Sequence, residues 1–150
     1  MSILQTATTS FKVELLQAVH NFGPTSPNTF KIALYTANAD INASTTVYTT
    51  SNEVSSSGTG YTAGGNTLVI STSPTAANNT AGIPTAYISF NNTSWTSATF
   101  TARAALIYNV TQGNKAVAVL DFGADKTVSN DTFQIIFPTP DANSAIVRIS

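Results

Sequence analysis

A chain of 150 residues without cysteine has room for one domain with its own core, and it excludes a disulfide framework or a thiolate metal site. Charged residues make up only 9% and the net charge is −1, which excludes the basic footprint of a nucleic-acid binder. No apolar run approaches the about 20 residues of a membrane-spanning helix, so no membrane insertion is expected.

Residues 1–9 are polar apart from Ile3 and Leu4, and carry no basic or long apolar stretch of a secretory signal. They read as an N-terminal arm, with residues 10–150 as a single domain. Residues 10–22 hold the one clear helix. Phe11, Leu15, Val19 and Phe22 recur at helical spacing, with Leu16 beside them. Ser10 is the expected N-cap, and Gly23-Pro24 the stop. Glu14 suits the positive end of the helix dipole and His20 the negative end. His20, the only histidine, is expected to be a surface or capping group.

Strands follow at residues 29–36, 67–71 and 85–90, with a short one at 45–50. Residues 55–65 and 74–84 read as loops, the first rich in glycine. Residues 95–137 read as a central meander of three strands separated by Gly, Asn and Asp. Alternation places Phe100, Ala102, Ala104, Leu106, Tyr108 and Val110 on one face and Arg103 on the other. Val117, Val119 and Ile136 make the opposite faces apolar too, which predicts cover on both sides. A last strand spans 145–149. About eight short strands with regular turns predict a mainly β fold, an antiparallel β-sandwich or barrel with one N-terminal amphipathic helix.

Catalytic chemistry has little material. A serine triad needs a histidine base, and His20 stands on a helix with no Gly-x-Ser-x-Gly elbow in the chain. Asp121, Asp125 and Asp131 are close in sequence and read as solvated turn carboxylates rather than a glycosidase pair or a Ca²⁺ loop. The expectation is no enzyme, no cofactor and no metal. Arg103, alone among Ala and Thr, reads as a solvent-facing strand residue or a partner of Glu53 or Asp121, with an intersubunit contact as the functional alternative. Tyr61, Tyr87 and Trp95 read as packing residues, with a sugar-stacking platform as the alternative. The expected interface residues are Ser2, Ile3, Leu4, Tyr61 and Arg103.

Four segments carry a resemblance: Phe11-Lys-Val-Glu-Leu-Leu-Gln-Ala-Val-His-Asn-Phe22, Thr29-Phe-Lys-Ile-Ala-Leu-Tyr-Thr36, Gly58-Thr-Gly-Tyr-Thr-Ala-Gly-Gly65 and Ser94-Trp-Thr-Ser-Ala-Thr-Phe-Thr-Ala-Arg-Ala-Ala-Leu-Ile-Tyr-Asn109. Together with the strand from Ala116 and the ending from Thr139, they resemble a family of small virion structural proteins of tailed bacteriophages of aquatic bacteria. The resemblance implies a capsid decoration or cement protein, assembled in the host bacterial cytoplasm and present in the virion. Its partner would be the major capsid protein, with a homotrimer the favoured oligomer. The alternative is a tail protein beside neighbouring tail subunits, or an adhesin binding host glycan. No catalytic residues come with the resemblance.

Overall fold

Alternation and turn chemistry resolve into eight strands and one helix in a computed structural model that describes residues 2–150. In chain order these are β1 (Thr6–Ala7), α1 (Thr9–Leu16), β2 (Phe30–Tyr35), β3 (Asn66–Leu68), β4 (Ile70–Asn78), β5 (Pro84–Phe90), β6 (Thr93–Asn109), β7 (Lys115–Ile135) and β8 (Val147–Ile149). One sheet has the order β1-β7-β6-β2-β3 and the other β4-β5-β8, all antiparallel. Neither closes on itself, so the architecture is two open sheets and not a barrel.

The expected three-stranded meander is one long hairpin. Residues 133–137 do not begin a new strand; β7 runs on to Ile135 and pairs with the start of β6, Thr93↔Ile135, as Asn109↔Lys115 closes the other end. Irregularities let so long a ribbon twist and bend without ending it. Gly123 (φ 76) and Asn130 (φ 49) take left-handed backbone in β7, and Ser97 (φ 49) does so in β6. Residues 123–132 look like a polar break because this part of the ribbon is mostly exposed. Asp125 and Asp131 thus stand on a strand, not in a turn. Residues 74–78, expected in a loop, extend β4, and residues 45–50 form no strand beyond the single bridge Val47↔Lys115.

One irregularity reassigns the faces. Ala102 pairs with Lys126 and Ala104 with Asp121, leaving Arg103 opposite residues 122–125. Side chains on either side of this bulge point to different layers. Phe100 and Ala102, with Ala105 and Ile107, enter the larger core. Ala104, Leu106 and Tyr108 enter a second core on the reverse of the sheet. The single apolar face expected from strict alternation is therefore split at Arg103.

Strand β2, residues 104–109 of β6 and residues 115–119 of β7 are covered on both sides, as two-sided apolarity demands. The larger core packs them against the small sheet and α1 through Phe30, Phe90, Ile88 and Phe11. The second core packs them under the segment that carries Ala39 and Ile41, with Ile3 and Tyr48 at its rim. The Tyr48 ring stacks on Tyr108 with centroids 4.6 Å apart.

The glycine-rich loop is tied down by one carboxylate. Glu53 accepts hydrogen bonds from the hydroxyls of Tyr48 (2.7 Å) and Tyr61 (2.6 Å) and from the Gly64 amide (2.7 Å). Burial first, then Glu53, by its charge at Tyr35 and Tyr108 and by its hydrogen bonds at Tyr48 and Tyr61, raise the phenol of Tyr108 to about 12 and those of the other three further. Beside this cluster the loop passes hard against β2. Gly65 has φ +72, and a Cβ there would lie 1.7 Å from the Ile32 carbonyl oxygen. At Gly113, φ +70 in the tip between β6 and β7, a Cβ would meet nothing. Gly113→Ala should therefore cost only the backbone strain, about 1–2 kcal/mol. Gly65→Ala adds a backbone clash and should exceed about 3 kcal/mol or abolish folding. Urea denaturation of the two variants measures the difference.

Candidate interaction surface

Helix α1 is built unlike a standard surface helix. It buries a carboxylate and exposes aliphatic side chains. Phe11 and Glu14 are buried, whereas Val13 is 51% and Leu16 92% exposed. Three local features set this orientation. Thr8, not Ser10, is the N-cap: its hydroxyl accepts from the Phe11 amide (3.2 Å) and lies within 3.3 Å of the Ala116 carbonyl, to which it donates. The β1 strand then ties the start of the helix to β7 through Thr6↔Val119 and Ala7↔Ala118. At the other end the chain leaves the helix after Leu16, six residues before the expected stop.

That early stop is a Schellman motif. The Ala18 amide donates to the Leu15 carbonyl (3.1 Å) and the Val19 amide to the Glu14 carbonyl (3.0 Å). Ala18 occupies the left-handed position with φ 58, where glycine is usual. Nothing in residue type announces this turn, and the spacing of Leu15, Val19 and Phe22 argues for continued helix. The turn instead swings residues 19–22 back across the helix.

His20 thereby meets Glu14 at 2.8 Å, with its side chain fully buried. This corrects the expected surface or capping role of His20, and Glu14 lies in the last turn of the helix rather than near its positive end. The Asn109 amide donates to His20 Nδ1 (2.9 Å) and to Asn28 Oδ1 (2.9 Å), while Asn109 Oδ1 accepts from Gln112 N. These partners assign the His20 proton to Nε2, where it points at Glu14. Lys115 Nζ donates to the other Glu14 oxygen at 2.9 Å. Burial opposes ionisation of Glu14, but the hydrogen bonds from Lys115 and His20, with the Lys115 charge, outweigh it and hold the carboxyl below its ordinary value. The helix is thus clamped to both ends of the β6–β7 tip through Asn109 and Lys115.

Two connected cavities flank α1, of about 500 and about 340 Å³. Phe11, Leu15, Val147 and Ile149 line both. The first reaches Ala7, Ala118, Lys12 and Arg148; the second is mostly apolar and reaches Phe22 and Ile88. Together they make a groove between the helix and the outer strand of the small sheet. Apolar exposure continues nearby with Ile149 at 55%.

The expected interface residues do not gather here. Ser2 donates through its amide to Asp40, and the Leu4 amide to the Ile41 carbonyl, so residues 2–7 are bound along their own domain. Leu4 keeps 55% exposure, and Ile3 packs on the second core. Tyr61 is 3% exposed, with its hydroxyl engaged by Glu53 and the Leu34 amide, and offers no contact surface. Trp95 is buried against it, which removes the sugar platform those two would form. Arg103 pairs with Asp121 at 3.1 Å across the bulge. Asp121 is held below the usual carboxylate range first by the Gly123 amide and then by Arg103. Among the described residues, no three His, Asp or Glu groups come together as metal ligands, and no helix is long and apolar enough to cross a membrane.

Two tests probe the clamp. Ala18→Gly relieves the left-handed strain and should stabilise the fold by about 0.5–1 kcal/mol in urea denaturation. Glu14 contributes stability that is present above its unfolded value of about 4.3 and is lost as pH falls through its lower folded value. Glu14→Gln should cost about 1–2 kcal/mol at neutral pH and flatten the loss of stability below about pH 4.3. An unchanged acid limb would show that the ion pairs carry no folding energy.

No protein-family model, no curated protein and no solved structure matches this chain.

Proposed function

We propose that the chain is a structural subunit of a tailed-bacteriophage particle, acting as a capsid decoration or cement protein on major capsid subunits. The observation that carries this reading is the clamped helix presenting Val13 and Leu16 to solvent. A side chain as apolar as Leu16 gains about 1.5–3 kcal/mol when a partner covers it. Fixing the helix beforehand removes the ordering cost that a mobile attachment segment would carry. The sparse charge, −1 overall, also lets copies crowd on a shell with little mutual repulsion.

Attachment on this reading is burial of apolar surface, with no bond chemistry. The contact belongs to α1 rather than to an N-terminal arm, since residues 2–7 are occupied by their own domain. A homotrimer in the assembled virion remains part of the proposal. The adhesin alternative has less support, because Tyr61 and Trp95 are buried.

The test is the composition of purified particles. Decoration requires copy numbers comparable to the major capsid protein, and absence from particles would remove the reading. The double variant Val13→Asp/Leu16→Asp should leave folding stability within about 0.5 kcal/mol, as exposed substitutions do. It should reduce particle occupancy at least about tenfold, the factor that 1.4 kcal/mol represents. Full occupancy by that variant would place the attachment surface elsewhere.

A further inference from the structure

The small sheet covers the large one unequally. β3 and β4 are separated in sequence by Val69 alone, so the β4-β5-β8 layer starts over the β3 edge and ends at β8. Beyond β8 a fourth strand would lie over β7 and β1. That position holds α1 and the larger groove, whose walls are residues 146–150 on one side and Phe11, Leu15 and Ala118 on the other. Among the described residues, the outer backbone edge of β8 has no strand partner.

Two of the other sheet edges carry guards. β4 has Pro74 in its middle, which breaks the donor row. The outer edge of β7 beyond Asp121 is kinked by Gly123 and Asn130 and bears Asp125, Lys126 and Asp131. β8 has neither a proline nor a bulge, and its short edge opens directly onto the groove. The groove also has a sign. Lys12 and Arg148 line it, no acidic side chain does, and neither cation is in an ion pair among the described residues.

We infer that this seam receives an extended, acidic segment of a partner protein, which adds as a fourth strand beside β8. Backbone pairing along β8 sets its direction. Alternate side chains then face Phe11, Leu15 and Ala118 in the groove, and these must be apolar. A carboxylate at the rim meets Lys12 and Arg148. The inference rests on the reading that the chain works by docking to another protein, and it names the form of one docking element. Particle composition tests that reading and peptide binding tests this one, so a chain that is found in particles yet ignores the peptide loses only the strand.

The experiment is a titration of the isotope-labelled full chain, followed by amide NMR, with a capped peptide Thr-Val-Asp-Val-Thr-Val. A second peptide has Lys in place of Asp, and a third has methylated those amides of the first that would donate to β8. Saturable shifts confined to residues 145–150 and 7–15 are expected. The Lys peptide should bind at least about tenfold more weakly, since both rim charges then repel it, and methylation should abolish binding. The exposed double variant Lys12→Glu/Arg148→Glu should reverse the preference between the first two peptides. Shifts elsewhere, absence of saturation, or equal binding of the Asp and Lys peptides would overturn the inference. So would a dimer in sedimentation that Arg148→Glu dissolves, because the occupant would then be a second copy of this chain.

Discussion

The fold depends on one constraint: β2 and the adjoining halves of β6 and β7 are apolar on both faces. A sheet of that kind is unstable with either face wet, since each buried aliphatic side chain represents about 1.5–3 kcal/mol. Every other part of the chain answers this requirement. The small sheet and α1 cover one face, with Phe30, Phe90 and Ile88 at the centre. The segment carrying Ala39 and Ile41 covers the other without regular secondary structure. A covering segment that lacks a hydrogen-bond ladder needs other restraints, and stacking of Tyr48 on Tyr108 and the bonds to Glu53 supply them.

Polar groups inside this molecule serve as fasteners between layers. Glu14, His20, Asn109 and Lys115 join helix to hairpin, and Glu53 joins loop to strand through Tyr61. Buried polar groups tolerate few alternative arrangements, because any misplacement leaves a donor or acceptor unpaired in a low dielectric. The consequence for α1 is geometric. Val13 and Leu16 face outward because the helix's carboxylate has two partners facing inward, His20 and Lys115.

Much of the fold was legible in the sequence. The strand positions at residues 29–36 and 85–90, the two-sided character of the central strands and the mainly β class all follow from alternation and β-branched content. What alternation could not show were the irregularities. The bulge opposite Arg103 swaps the layer served by Ala104 and Leu106, and such a bulge depends on pairing between residues distant in sequence. The joining of residues 115–122 and 133–137 into one strand failed for the same reason, as Gly123 and Asn130 look like turn residues and act as kinks. The site was less legible still. The pairing of Glu14 with His20 requires a left-handed Ala18, a conformation that alanine seldom takes, so the sequence carried no signal for it. The N-cap shift from Ser10 to Thr8 also hinges on a distant partner, the Ala116 carbonyl. Exposure of Leu16 follows from these placements and not from its residue type.

The length of the β6–β7 hairpin has a consequence for how the molecule comes together. Its two strands are joined by only residues 110–114, so closing that loop costs little entropy and pairing can zip outward from Asn109↔Lys115 toward Thr93↔Ile135. The first and last strands behave oppositely. β1 pairs with β7 across most of the sequence and β8 with β5 across a long intervening stretch that includes the whole hairpin, and such distant contacts form late because loop closure precedes any gain from them. The hairpin is therefore the natural nucleus, while the seam between helix and small sheet is the last region to assemble. The same seam should be the first to open in the native state, so amide exchange should be fast at residues 145–150 and slow along the middle of β6.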